Sequence, residues 1–214
     1  MKITIYEDDL FYYFWKNHNI PSTFGKEKSF LDFLLESKDK NIQSIVLYLE
    51  DMFGKKNEYG LLNRLDNDTS GLLYFAKTPL VKEKYKKAQA EGKITKYYIA
   101  DVYGNFVKNS LKISYPIGHH KFSKDRMVVF LDAKQTGKID KKRMHKVDTE
   151  IEKLYYDKNR NVTTLLVKIS KGIRHQIRAH LSSIGFPIVG EKIYIKKAGL
   201  EKLQLFSIGI KYEE

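Results

Sequence analysis

The chain has 214 residues, with 39 Lys plus Arg against 26 Asp plus Glu and a formal net charge of +13. Its 42% hydrophobic and 30% charged residues allow a sizeable core and exclude global disorder. The absence of cysteine excludes disulfides, zinc–cysteine centres, iron–sulfur clusters and thiol nucleophiles, and so large a cationic excess points to a polyanion, either nucleic acid or an anionic membrane surface.

In chain order, residues 1–9 alternate apolar and polar and then turn acidic, which reads as a strand and not a signal peptide. No apolar run approaches the roughly 18 residues that span a bilayer, so the expected location is the cytoplasm. Ser29 is an N-cap candidate for a helix over 29–37, with Phe30, Phe33 and Leu34 on one side. Leu72–Ala76 is a short apolar run, consistent with a buried strand. Leu80–Glu91 is rich in Lys, Glu and Ala and stops at Gly92, a helix C-cap. Residues 94–103 are aromatic and β-branched and end at Gly104; 163–170 and 203–210 read as strands in the same way. Lys134–Lys146 is strongly basic with little apolar content, which predicts a solvated loop or a phosphate-touching arm. His175–Ile184 is a helix that Gly185 and Pro187 stop. Strands and helices do not alternate, and there is no repeat or linker. The expected architecture is a single domain over 1–214, α+β, with a mixed, mostly antiparallel sheet.

Two polar clusters stand out. In Leu61–Lys77, Asp66-Asn67-Asp68-Thr69-Ser70-Gly71 carries turn chemistry directly before an apolar strand. Arg64 and Asp66 lie two apart and share a face if that backbone is extended. Taken alone, such a segment is most often only a turn. Asp66 and Asp68 are poor partners for the roughly 5–10 Å spacing of glycosidase acids. The second cluster, Arg174-His175-Gln176-Ile177-Arg178-Ala179-His180, follows Lys171-Gly172 at a strand-to-helix turn, a setting suited to phosphate. His175 and His180 are five apart, which places them badly for a shared metal.

These clusters carry a resemblance. Asn63-Arg64-Leu65-Asp66-Asn67-Asp68-Thr69-Ser70-Gly71-Leu72 resembles the His-Arg-Leu-Asp-x-x-Thr-Ser-Gly-Leu signature of RluA-type RNA pseudouridine synthases. Further blocks follow in the family's order: Lys96-Tyr97-Tyr98-Ile99-Ala100-Asp101-Val102-Tyr103-Gly104, then Pro116-Ile117-Gly118 with Arg126-Met127, then Gly172 to Leu181, then Gly185 to Tyr194. The likeness spans about residues 60–195. Three positions depart from it: Asn63 stands where the family has His, Ile173-Arg174 stands where it has Arg-Thr, and Asn17 to Asn19 only faintly resembles its Lys-Pro-x-Gly turn.

The resemblance implies the pseudouridine synthase fold with a central cleft, and an isomerase that acts on a uridine of rRNA or tRNA without metal or cofactor. It implies Asp66 as nucleophile, Arg178 as its basic partner and Tyr98 as the ring packed against the base; strand alternation independently puts Tyr98 on the face of Lys96 and Ala100 and Tyr97 on the other. Arg64, Lys96, Arg174 and His175 are the expected RNA contacts, and the target nucleotide must be flipped out to react. A monomer without a separate N-terminal RNA-binding domain is expected. The competing reading is an RNA-binding or RNA-folding protein in which catalysis is secondary or lost.

Overall fold

The structure, a computed structural model, describes residues 3–131, 139–195, 199 and 201–212. In chain order its strands are β1 (Ile5–Glu7), β2 (Phe11–Lys16), β3 (Ser70–Ala76), β4 (Ile94–Tyr103), β5 (Ser110–Ile113), β6 (Ile117–His120), β7 (Met127–Val129), β8 (Ile139–His145), β9 (Thr149–Asp157), β10 (Val162–Ile169) and β11 (Leu205–Tyr212). Its helices are α1 (Phe30–Leu35), α2 (Lys40–Phe53), α3 (Pro79–Ala90) and α4 (Gln176–Ser183), with a 3-10 segment at Lys55–Gly60. The chain divides into two compact units: the described residues up to Ile94 together with those from Phe206 onward, and Thr95–Leu205. Among the described residues no helix is long and apolar enough to cross a membrane.

The first unit holds strands in the order β1-β2-β3-β11. β1 and β2 form a hairpin because the Asp8 carboxylate accepts from the N–H groups of Leu10 and Phe11, both at 2.8 Å. β2 pairs antiparallel with β3, and β3 pairs parallel with β11. Gly71 makes the last pairing possible. Its φ is +120°, and a Cβ there would lie 2.3 Å from the carbonyl oxygen of Ser207, so only glycine lets the two backbones meet. Phe14 is fully buried and meets Phe75 edge-on at 5.2 Å and Phe30 at 6.4 Å, which seats α1 on the sheet. α1 starts at Ser29 as expected, with Ser29 and Asp32 forming a reciprocal capping box. α3 matches the expected helix over Leu80–Glu91 to within a residue; its N-cap is Thr78, with Pro79 in the first turn. The sequence reading has no counterpart for α2. That helix is capped by Asp39 and buries only Ile42, Leu49 and Phe53, so its apolar stripe is thin.

The second unit contains strands in the order β4-β10-β9-β5, all antiparallel, and a three-stranded antiparallel sheet in the order β7-β6-β8. β4 occupies the predicted span, and its burial alternates strictly, with Lys96, Tyr98, Ala100 and Val102 inside. The basic stretch 134–146 is not a loop where it is described. Residues 134–138 lie outside the described residues, and Ile139–His145 is strand β8, paired with β6. Ile139 is fully buried and anchors it. Its position at a sheet edge tolerates a polar, lysine-rich sequence.

α4 is buried along Gln176–Leu181 and is tied down by polar side chains. Gln176 Nε2 donates to the Asp148 carbonyl at 2.9 Å and to Thr149 Oγ1 at 3.1 Å. His180 lies 2.8 Å from Thr149 Oγ1 through Nδ1 and 2.9 Å from the Tyr115 carbonyl through Nε2. A carbonyl can only accept, so Nε2 carries the proton; Nδ1 accepts from the Thr149 hydroxyl in the neutral ring and donates to it in the imidazolium. Burial lowers the pKa of His180, against the Tyr115 carbonyl and Asp148, which raise it. The unfolded chain therefore takes up this proton at the higher pH. Stability from His180 is intact above the ordinary histidine value of about 6.5 and is lost as pH falls below it. Melting temperatures recorded from pH 8 to 5 should decline across that window. His180→Gln, which keeps a donor but cannot charge, should flatten the decline.

Candidate active site

In the first unit the Asp66 loop is held by hydrogen bonds to its backbone, most of them from buried polar side chains. The Leu62 N–H donates to the Tyr74 carbonyl at 2.8 Å. Asn63 clasps the edge of β3 with both ends of its amide, accepting from Tyr74 N–H at 2.8 Å and donating to the Leu72 carbonyl at 3.2 Å. Ser22 Oγ donates to the Leu65 carbonyl at 2.9 Å and accepts from the Leu65 N–H at 3.0 Å. The Thr69 N–H closes the turn on the Asp66 carbonyl at 3.0 Å. The Asp66 side chain is half-buried, and Arg64 is exposed in an ion pair with Glu58 at 2.7 Å.

Lys16, at the end of β2, completes this loop. Its fully buried ammonium donates to the carbonyls of Asn17 at 3.1 Å, Ile20 at 2.8 Å and Asn67 at 3.0 Å. Burial lowers its pKa to about 8, against Asp66 and Asp68, whose charges raise it. At neutral pH it remains mostly cationic, so a fixed positive charge lies in the field of Asp66 and Asp68. Asp68 is held differently: His18 Nδ1 meets its carbonyl at 2.7 Å.

In the second unit Tyr98 and Lys96 are buried neighbours on one face of β4, 7% and 6% exposed. Arg178, on α4, is 2% exposed and makes a bidentate pair with Glu191: Nε donates to Oε2 at 2.7 Å and Nη2 to Oε1 at 2.8 Å. Glu191 is fully buried, and its Oε1 also accepts the N–H groups of Lys192 at 3.0 Å and Ile193 at 2.8 Å. Burial alone would raise the Glu191 pKa. The bonds and charge of Arg178, with the two N–H groups, outweigh it and lower the pKa. The pair is thus ionic, with a planar guanidinium locked in one orientation.

His175 caps α4 in a left-handed conformation, φ +53°, and its Nδ1 lies 3.0 Å from the Tyr194 hydroxyl. Arg174 is exposed, donating to the Lys124 carbonyl at 2.7 Å. Among the described residues no three His, Asp or Glu side chains gather as a metal site requires.

Each expected site residue thus lies in an ordered setting: Asp66 and Arg64 in the first unit, Lys96, Tyr98, Arg174, His175 and Arg178 in the second. Sequence reasoning gives no role to Lys16, Glu191 or Tyr194. Lys16 has a visible signal, a single cation closing the aromatic run Phe11-Tyr12-Tyr13-Phe14-Trp15. Glu191 has only its place in a quoted block, thirteen residues beyond Arg178.

Comparison with known proteins places these features in a family. The RNA pseudouridylate synthase family profile matches residues 11–183. An uncharacterized RNA pseudouridine synthase of Aquifex aeolicus is 28% identical over 169 residues, 78% of this chain and 50% of that protein. Ribosomal large subunit pseudouridine synthase D of Nitrosomonas europaea is 32% identical over 135 residues, 63% of this chain and 35% of that protein. The mitochondrial tRNA pseudouridine(32) synthase of Saccharomyces cerevisiae is 30% identical over 132 residues, 62% and 27%. The chain thus spans half or less of the length of these relatives. The solved structure of human RNA Pseudouridylate Synthase Domain Containing 1 shares the fold, with a TM-score of 0.69 at 20% identity over 98% of this chain and 78% of that one.

Proposed function

Because the chain belongs to the RNA pseudouridylate synthase family, we propose that it converts a specific uridine of rRNA or tRNA to pseudouridine, with Asp66 as the nucleophile. The observation that carries this reading is the Asp66 loop. A carboxylate is held half-buried by Ser22, Thr69 and Asn63, within the field of the buried cation Lys16.

The reaction breaks the N1–C1′ bond, turns the base and joins C5 to C1′. The proton on C5 leaves and one is gained at N1, so there is no net redox change. What the chemistry requires of the protein is a nucleophile that can hold an intermediate, and an ionised carboxylate does this covalently. In this reading Arg178 is the catalytic cation, and Glu191 is the positioning residue that orients its guanidinium. Tyr98 packs against the uracil and offers its hydroxyl for proton transfer. Arg64, Arg174 and His175 contact RNA around a flipped nucleotide, whose extrusion costs a few kcal/mol. The net charge of +13 offsets that cost through counterion release. In this reading the protein acts as a monomer in the cytoplasm.

Mapping pseudouridine in rRNA and tRNA from cells with and without the protein tests the reading. One or a few sites should revert to uridine when it is absent. Identical maps would remove the assignment.

A further inference from the structure

Among the described residues two lysines are buried, and they are built differently. Lys16 spends its three protons on three carbonyls. Lys96, 6% exposed on β4, makes no hydrogen bond or ion pair to any described residue. Burial alone lowers its pKa, to about 8, and no carboxylate acts against it. A largely desolvated ammonium with no carboxylate beside it is costly, and such a group is a candidate for a binding role.

Two features say where that partner sits. A Cβ on Gly172 would lie 3.5 Å from Lys96 Nζ. The ammonium therefore lies against the turn that leads β10 into α4, and the missing side chain keeps that side of it open. Two residues along the same buried face stands Tyr98. Residues i and i+2 of a strand are about 7 Å apart, comparable to the reach from a pyrimidine ring to the phosphate of its own nucleotide. A neutral uracil oxygen would leave the cation uncompensated, whereas a phosphodiester supplies both the charge and the acceptors.

We propose that Lys96 is the phosphate-binding residue of the target nucleotide, its ammonium taking the phosphodiester of the same uridine whose base packs on Tyr98. This rests on the isomerase reading above for the identity of the base. The site is specific to a nucleotide, with the turn at Gly172 giving the phosphate room.

Calorimetric or NMR titration with uridine 5′-monophosphate, uridine and inorganic phosphate tests the proposal. The wild-type protein should bind the monophosphate roughly 10-fold more tightly than uridine, the worth of one charged hydrogen-bonded contact. It should bind inorganic phosphate at least about as weakly as uridine, since the base contributes too. In Lys96→Met the preference for the monophosphate over uridine should collapse. The variant should also melt about 2–4 °C higher, because an uncompensated buried charge is gone; a structural lysine would give a lower Tm. Equal wild-type binding of the monophosphate and uridine, no detectable binding of the monophosphate, inorganic phosphate binding as tightly as the monophosphate, or a preference or lower Tm in Lys96→Met would each overturn it. The wild-type comparison needs no variant to fold. Pseudouridine formation without the preference removes only the role of Lys96. The preference without pseudouridine in any RNA removes the isomerase and leaves a nucleotide-phosphate site.

Discussion

Asp66→Asn is expected to abolish pseudouridine formation, by roughly 10⁴-fold or more, while RNA affinity stays within about 3-fold of wild type. The magnitude follows from removing a nucleophile whose covalent step nothing else can perform. The substitution is mild for the fold. The loop is held through the backbone of Leu65, Asn67 and Thr69 and through the side chains of Ser22, Asn63 and Lys16, and none of those bonds uses the Asp66 carboxylate. Single-turnover assays on the RNA identified by mapping, together with filter binding, read both quantities. The same pair of measurements separates an isomerase from a protein that only binds or folds RNA. In the latter, Asp66→Asn would leave every function intact, and residual turnover within 10-fold of wild type would exclude Asp66 as nucleophile.

The second large effect belongs to Glu191. Glu191→Ala should destabilise the protein by about 3–5 kcal/mol, because it strands a buried guanidinium, and should lower Tm by roughly 6–20 °C. Arg178→Met should cost a similar amount by stranding the acid, whose two N–H partners compensate only part of its charge. The double variant Arg178→Met/Glu191→Leu should recover most of the stability, since a well-packed apolar pair can replace a buried ion pair at little cost. Its activity should stay absent. That split between recovered melting temperature and lost turnover is the signature of a pair needed for catalysis; recovery of both would reduce it to packing.

The elements with strong local signals were legible. Ser29, Gly92 and Gly185 punctuate helices through side-chain and backbone chemistry that is fixed within a few residues. β4 was legible to the residue because its aromatic and β-branched run alternates across a buried face. α2 was not, because three buried side chains in fourteen residues make a faint stripe. β8 was not, because edge position and cross-strand pairing with β6, neither visible in a local window, decide the fate of its basic sequence. In the candidate site, Asp66, Tyr98 and Arg178 stood out through a family pattern, not through composition. Lys16 and Glu191 were invisible in role for one shared reason. Their significance is burial, and a charged residue in sequence carries no mark of being inside.

Gly71, whose bare backbone lets Ser207 approach, ties the signature segment to a strand made late in the chain. The hydroxyl of Ser207 also reaches the Leu72 carbonyl, 135 residues away along the chain, so the strand that carries the Asp66 loop gains its parallel neighbour only after the whole second unit has been translated. Contacts of such long sequence separation form late and slowly. A nascent chain therefore carries the signature segment without its parallel neighbour until β11 has been made.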